Sequence, residues 1–152
     1  MSTWFIQIQK DLSKIPDCID YYNNELENVG LEVSMKGNVE KTSREMPGIV
    51  AYRFNQLQEL EGILEHLNIE MRRERGRLFR KYLEHYERAL SSRDVDKYVD
   101  GEQSVLDLQG LINEIAFVRN KYHGLMKALE AKQFQINNVI KLRVAGLEDI
   151  TL

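Results

Sequence analysis

SVLDLQGLINEIAFVRNKYHGLMKALEAKQFQINNVIKLRVA, residues Ser104–Ala145, is the stretch on which the fold turns. Leu108, Leu111, Ile115, Val118, Tyr122, Leu125 and Leu129 recur at alternating spacings of three and four, and Ile136 and Val139 resume the row after Lys132 interrupts it. That repeat is the grammar of a coiled-coil seam. Ile112, Met126 and Ile140 run beside it and widen the apolar face. A helix of about 40 residues would be about 60 Å long. One partner of similar length does not cover so broad a face, so subunit association is the natural way to bury it, and the stripe is expected to carry the oligomer interface or helical core. Gly146 is placed to cap the helix, ahead of the tail LEDITL.

Upstream, Pro47 and Gly48 open a second long pattern, with Leu57, Leu60, Leu64, Leu67 and Met71 on one stripe. The stripe continues through Leu78, Tyr82, Leu83, Tyr86 and Leu90, and Gly76 is its weak point, costing about 1 kcal/mol against Ala. Ser91–Glu102 reads as a loop or short turn. The first 47 residues are mixed. Phe5, Ile8, Leu12 and Ile15 have helical spacing that ends at Pro16, and Asp17 is placed to cap a short helix through Tyr21, Tyr22 and Leu26. Gly30, Gly37 and Asn38 then bracket LEVSM, where alternating Leu31, Val33 and Met35 predict a strand or a two-strand hairpin. The expectation is a mostly α chain of long antiparallel helices with a coiled-coil-like C-terminal helix. A small N-terminal segment (1–47) would precede the helical region (48–152).

A composition 30% charged and 43% hydrophobic belongs to a globular or long-helix protein and is too apolar for a disordered one. No apolar run approaches the roughly 20 residues needed to cross a bilayer, and MSTWFIQIQKDL lacks the pattern of a signal peptide. The single cysteine, Cys18, fits a reducing cytoplasm and reads as a small packed residue rather than a catalytic thiol.

Charge is where the chain departs from the ordinary. RRERGRLFRK, Arg72–Lys81, holds six cations against Glu74 alone, whereas the whole chain carries −3, which leaves −8 for the remainder. An acidic protein has no general attraction for polyanions, so affinity of that kind would be focused here. The bases are mostly arginine, whose planar fork suits phosphate and stacks on bases. Arg73, Arg77 and Arg80 or Lys81 share a helical face, with Arg72 and Arg75 beside them. Phe79 and Tyr82 are spaced either to stack on unpaired bases or to pack in the stripe, and the stripe's period favours packing. The plainer account of the window is a solvated face, with Glu70 pairing with Arg73 and Glu84 with Arg80 or Arg88.

Catalytic and metal-binding patterns are missing from the sequence. Neither GxxxxGK nor GxGxxG occurs, and His66, His85 and His123 are scattered without HExxH or Cys/His ligand spacing. Asp96, Tyr98, Asp100 and Gly101 only faintly follow a calcium loop, with Tyr98 where an oxygen ligand belongs. Glu59/Glu61 and Asp94/Asp96 lack the apolar setting that would split their pKa values. No cofactor, metal or enzymatic activity is expected.

The second half of the chain resembles the UvsY-type recombination mediators of tailed phages. LMKALEAKQFQINNVIKLRVAGLE (Leu125–Glu148) is similar to that family's final helix, RLFRKYLEHY (Arg77–Tyr86) to its basic helix, and YVDGEQSVL to its connecting segment. The resemblance spans roughly residues 50–148. It implies a non-enzymatic protein of the infected host's cytoplasm that binds single-stranded DNA. Such proteins help a RecA-like recombinase displace single-strand-binding protein. They form ring-shaped homo-oligomers, hexamers or heptamers, through the C-terminal helices. Arg80 stands where the family has a DNA-contacting base, whereas Tyr82 replaces the next one and leaves Lys81 or Arg77 to compensate. A coiled-coil scaffold or assembly chaperone without DNA binding is the alternative of a different class.

Overall fold

Where the apolar repeat of three and four is longest, the chain forms its longest helices. The computed structural model describes residues 3–85 and 89–146. It contains α1 (Thr3–Lys10), a 3₁₀ turn (Leu12–Lys14), α2 (Ile15–Glu27), α3 (Gly30–Val33), α4 (Val39–His85), α5 (Ser92–Asp100) and α6 (Gln103–Val144). The mostly α class read from the sequence is the class observed. At 47 and 42 residues, α4 and α6 extend about 70 and 63 Å. They lie antiparallel. Gln56 meets Tyr122, Glu61 meets Arg119 and Glu74 meets Ser104, so rising numbers on α4 face falling numbers on α6.

The seam between them carries the stripes seen in the sequence. Leu57, Leu60, Leu64, Leu67, Met71 and Leu78 of α4 are buried with Ile115, Val118, Tyr122, Leu125, Leu129 and Ile136 of α6. Leu108 and Leu111 pack partly buried against that core, and Val139 is half-buried near the far end of α6. Of the two roles open to the stripe, the fold gives it the core of one chain. The residues expected at a subunit interface therefore offer little surface to a second copy in this conformation. More than one partner covers α6: besides α4, the helices α2 and α3 pack on it, while α1 packs on α4.

This N-terminal layer is held by both apolar and polar contacts. Ile8, Ile15, Cys18 and Tyr22 are buried beneath it, and the Tyr22 ring meets Tyr122 edge-on at 5.6 Å. Phe5 lies over Gly62, where an added Cβ would sit 3.4 Å from its ring, so the small residue lets α1 approach closely. Glu59 accepts the Phe5 backbone N–H at 2.9 Å and the Tyr22 hydroxyl, joining α1 and α2 to α4.

Three buried positions are polar: Arg53, Gln56 and Lys132. Arg53 is only 4% exposed; its guanidinium donates to Glu32 at 2.7 and 2.8 Å and to Glu25 at 2.8 Å. Lys132 does not break the register. It is buried at a seam position, and its ammonium donates to the Glu32 carbonyl at 2.5 Å.

Several sequence expectations change. LEVSM forms no hairpin: Gly30–Val33 is one helical turn, and no strand occurs among the described residues. Its alternation does not mark a buried face, since Leu31 is 82% exposed. The second long helix begins at Val39, not at Pro47. Gly37, at φ +84°, makes the turn, and the Asn38 side chain accepts the Lys41 N–H at 3.1 Å as a cap. Pro47 sits inside α4 at an exposed position. Pro16 lies in the first turn of α2 rather than ending a helix, and Asp11 caps the 3₁₀ turn before it. The expected loop at 91–102 is mostly α5. Ser91 caps it by accepting the Asp94 N–H at 3.2 Å, and Val95 and Val99 anchor it. Gly146 closes α6 at φ +69°, as its position suggested. Tyr86, Arg88 and the tail from Leu147 lie outside the described residues.

Candidate nucleic-acid interface

Beyond the N-terminal layer, the C-terminal third of α4 turns a cationic face to solvent. Arg72, Arg73, Arg77, Arg80 and Lys81 surround one open, shallow concavity, together with Gly76, Glu84 and His85. Helical geometry brings them together, because positions 73, 76, 77, 80 and 84 follow the three-and-four spacing of one face. Gly76 makes the floor: a Cβ there would meet nothing within 4 Å, so packing does not require the glycine. Arg75 departs from the group. It turns toward α5 and pairs with Asp100 at 2.7 Å.

Most of the arginines already hold a carboxylate. Arg72 reaches back to Glu65 at 3.2 Å, Arg73 pairs with Glu70 at 2.6 Å, and Arg77 grips Glu74 through two bonds of 2.6 and 2.9 Å. The Glu70–Arg73 pair is the one read from the sequence, whereas Glu84 takes neither Arg80 nor any other described cation within 4 Å. Among the described residues no carboxylate lies within 4 Å of Arg80 or Lys81, although Lys81 is near enough to help lower Glu74. Glu74 is the most firmly fixed of the acids. Hydrogen bonds from Arg77 and then from Ser104, at 2.7 Å, hold its carboxyl down to about 2. Its bond in turn raises Arg77 above the ordinary guanidinium value.

The aromatic candidates face inward. Phe79 is half-buried against the core. Tyr82 stacks on Tyr98 of α5, with ring centres 5.5 Å apart and planes 21° apart, and its hydroxyl donates to Glu102. Both rings occupy packing positions, the role the stripe's period favoured. The bracing by α5 was not foreseen, although the spacing Ser91-x-x-Asp94 followed by Val95 and Val99 carries the signal of a capped amphipathic helix.

Elsewhere the chemistry is quiet. The Cys18 thiol is pushed up to about 12, by burial first and then by Glu59, which leaves it un-ionised at neutral pH. Among the described residues no group of three His, Cys, Asp or Glu is arranged to hold a metal. No described helix is long and apolar enough to cross a membrane. No known family model, curated protein or solved structure matches the chain.

Proposed function

We propose that this chain is a recombination mediator that binds single-stranded DNA along the Arg72–Lys81 face. In this role it helps a RecA-like recombinase replace single-strand-binding protein. The observation that carries the reading is the solvent-facing group of five cations around Gly76, with no described carboxylate within 4 Å of Arg80 or Lys81, on an otherwise acidic chain. Arginine forks and a lysine at one-turn intervals suit the phosphates of a flexible strand. The resemblance of Arg77–Tyr86 and Leu125–Glu148 to UvsY-type proteins supplies the biological role, and with it a ring-shaped homo-oligomer that would repeat the face.

Binding to oligo-dT tests the reading. Affinity at low salt is expected to fall by about 0.7 log unit per contacted phosphate for each decade of salt. R80A/K81A is expected to lower affinity at least tenfold with the helical signal unchanged. Acceleration of recombinase assembly on strands coated with single-strand-binding protein tests the mediator role itself. A second reading has its own observation: the carboxylates on Arg72, Arg73, Arg75 and Arg77 suit a salt-bridged face on a coiled-coil scaffold. Absence of oligo-dT binding at low salt selects that reading.

A further inference from the structure

Arg72 and Arg73 of the cationic face are well exposed yet occupied. Arg72 and Arg73 keep 71% of their side-chain surface in water, so a strand reaches them without disturbing the core. Each nevertheless spends a donor on a glutamate one or two turns earlier on the same helix. A phosphate engaging either fork in full competes with that glutamate for the same N–H groups, because a guanidinium has a fixed fork of five donors.

We propose that Glu65 and Glu70 are built-in competitors for the strand: the face is self-screened, and these two carboxylates set how tightly it binds. This rests on the reading of the face as a polyanion site. Arg80 and Lys81, with no described carboxylate on them, make the first contacts. Arg72 and Arg73 join as their glutamates are displaced. Several adjacent phosphates must then arrive together to release both pairs, so the device favours long strands over isolated phosphates. Glu74 is not part of it. Its bonds to Arg77 and to Ser104 of α6 tie the two long helices together.

Anisotropy titrations with labelled oligo-dT, comparing wild type, E65Q/E70Q and E84Q, test the proposal. Glu84 lines the same concavity and pairs with none of Arg72, Arg73, Arg77 or Arg80, so E84Q removes a charge there without releasing any of those four arginines. E65Q/E70Q is expected to bind about tenfold tighter at low salt, within what two exposed ion pairs allow. Its salt slope should steepen by about 0.7 for each arginine released. E84Q should bind less than about twofold tighter and keep the wild-type slope. An unchanged slope in E65Q/E70Q, or a per-charge gain equal to that of E84Q, overturns the competition while leaving the binding face intact. Failure of every variant to bind removes the face as a site and the proposal with it.

Discussion

Glu74 and Arg53 show how differently single charged residues are used in this chain. Glu74 has its carboxyl lowered from 4.5 to about 2 by Arg77 and Ser104. A depressed carboxyl stabilises the fold above its unfolded value, and that contribution is lost as pH falls through the folded value. Thermal melts of Glu74→Gln against wild type are therefore expected to differ most above about pH 4.5, with the gap closing toward pH 2. Arg53 lies within the seam, where its charge is matched by Glu25 and Glu32 and a further donor bonds Gln56. Arg53→Ala breaks a largely buried pair and leaves two half-buried carboxylates without their cation. A loss of about 3 kcal/mol is expected in urea unfolding. The Arg72–Lys81 face was legible as composition, because charge density needs no knowledge of contacts. Its internal pairing was legible only where both partners lie one turn apart, as in Glu70 and Arg73. Asp100, which holds Arg75 from 25 residues away, was not.

At the scale of elements, the long stripes were readable because an unbroken period of three and four leaves a helix few other ways to bury its face. Short elements misled. Leu31, Val33 and Met35 alternate as a strand does, yet four residues of helix sufficed there because Glu32 is anchored by Arg53 and Lys132. Those anchors come from 21 and 100 residues away, beyond any local pattern. Of the helix-weakening residues inside α4, Gly48 and Gly76 are not needed for packing at their own positions. Gly76 has open space around its absent Cβ, so Gly76→Ala is expected to raise stability by about 1 kcal/mol, read as a higher Tm. A bulkier Gly76→Leu would fill the floor of the concavity, and on the proposed reading it weakens oligo-dT binding while the helical signal holds.

For the molecule as a whole, the decisive fact is that the C-terminal stripe is consumed internally. Leu125 is 6% exposed, in a seam with α4 and under the N-terminal layer. Leu125→Asp is therefore expected to abolish cooperative thermal unfolding rather than yield a folded monomer. A native-like melt with reduced mass would instead return the stripe to an interface between copies. If the chain assembles into rings, the contacting surface is expected among residues left outside the seam. Phe117 and Phe134 of α6, 64% and 65% exposed, are among these.

The uneven cover on α4 has a kinetic consequence. Around residues 52–62 the helix is held by α6 and by the N-terminal layer, whereas among the described residues the Arg72–Lys81 turns are backed by α6 and α5. Local opening is easier where fewer buried contacts must break. Amide deuteration is thus expected to run in a gradient along one continuous helix, slow near Gln56 and fast near Gly76. A strand lying across the cations would flatten that gradient, so the same rod would report its occupancy through the rate at which its far end breathes.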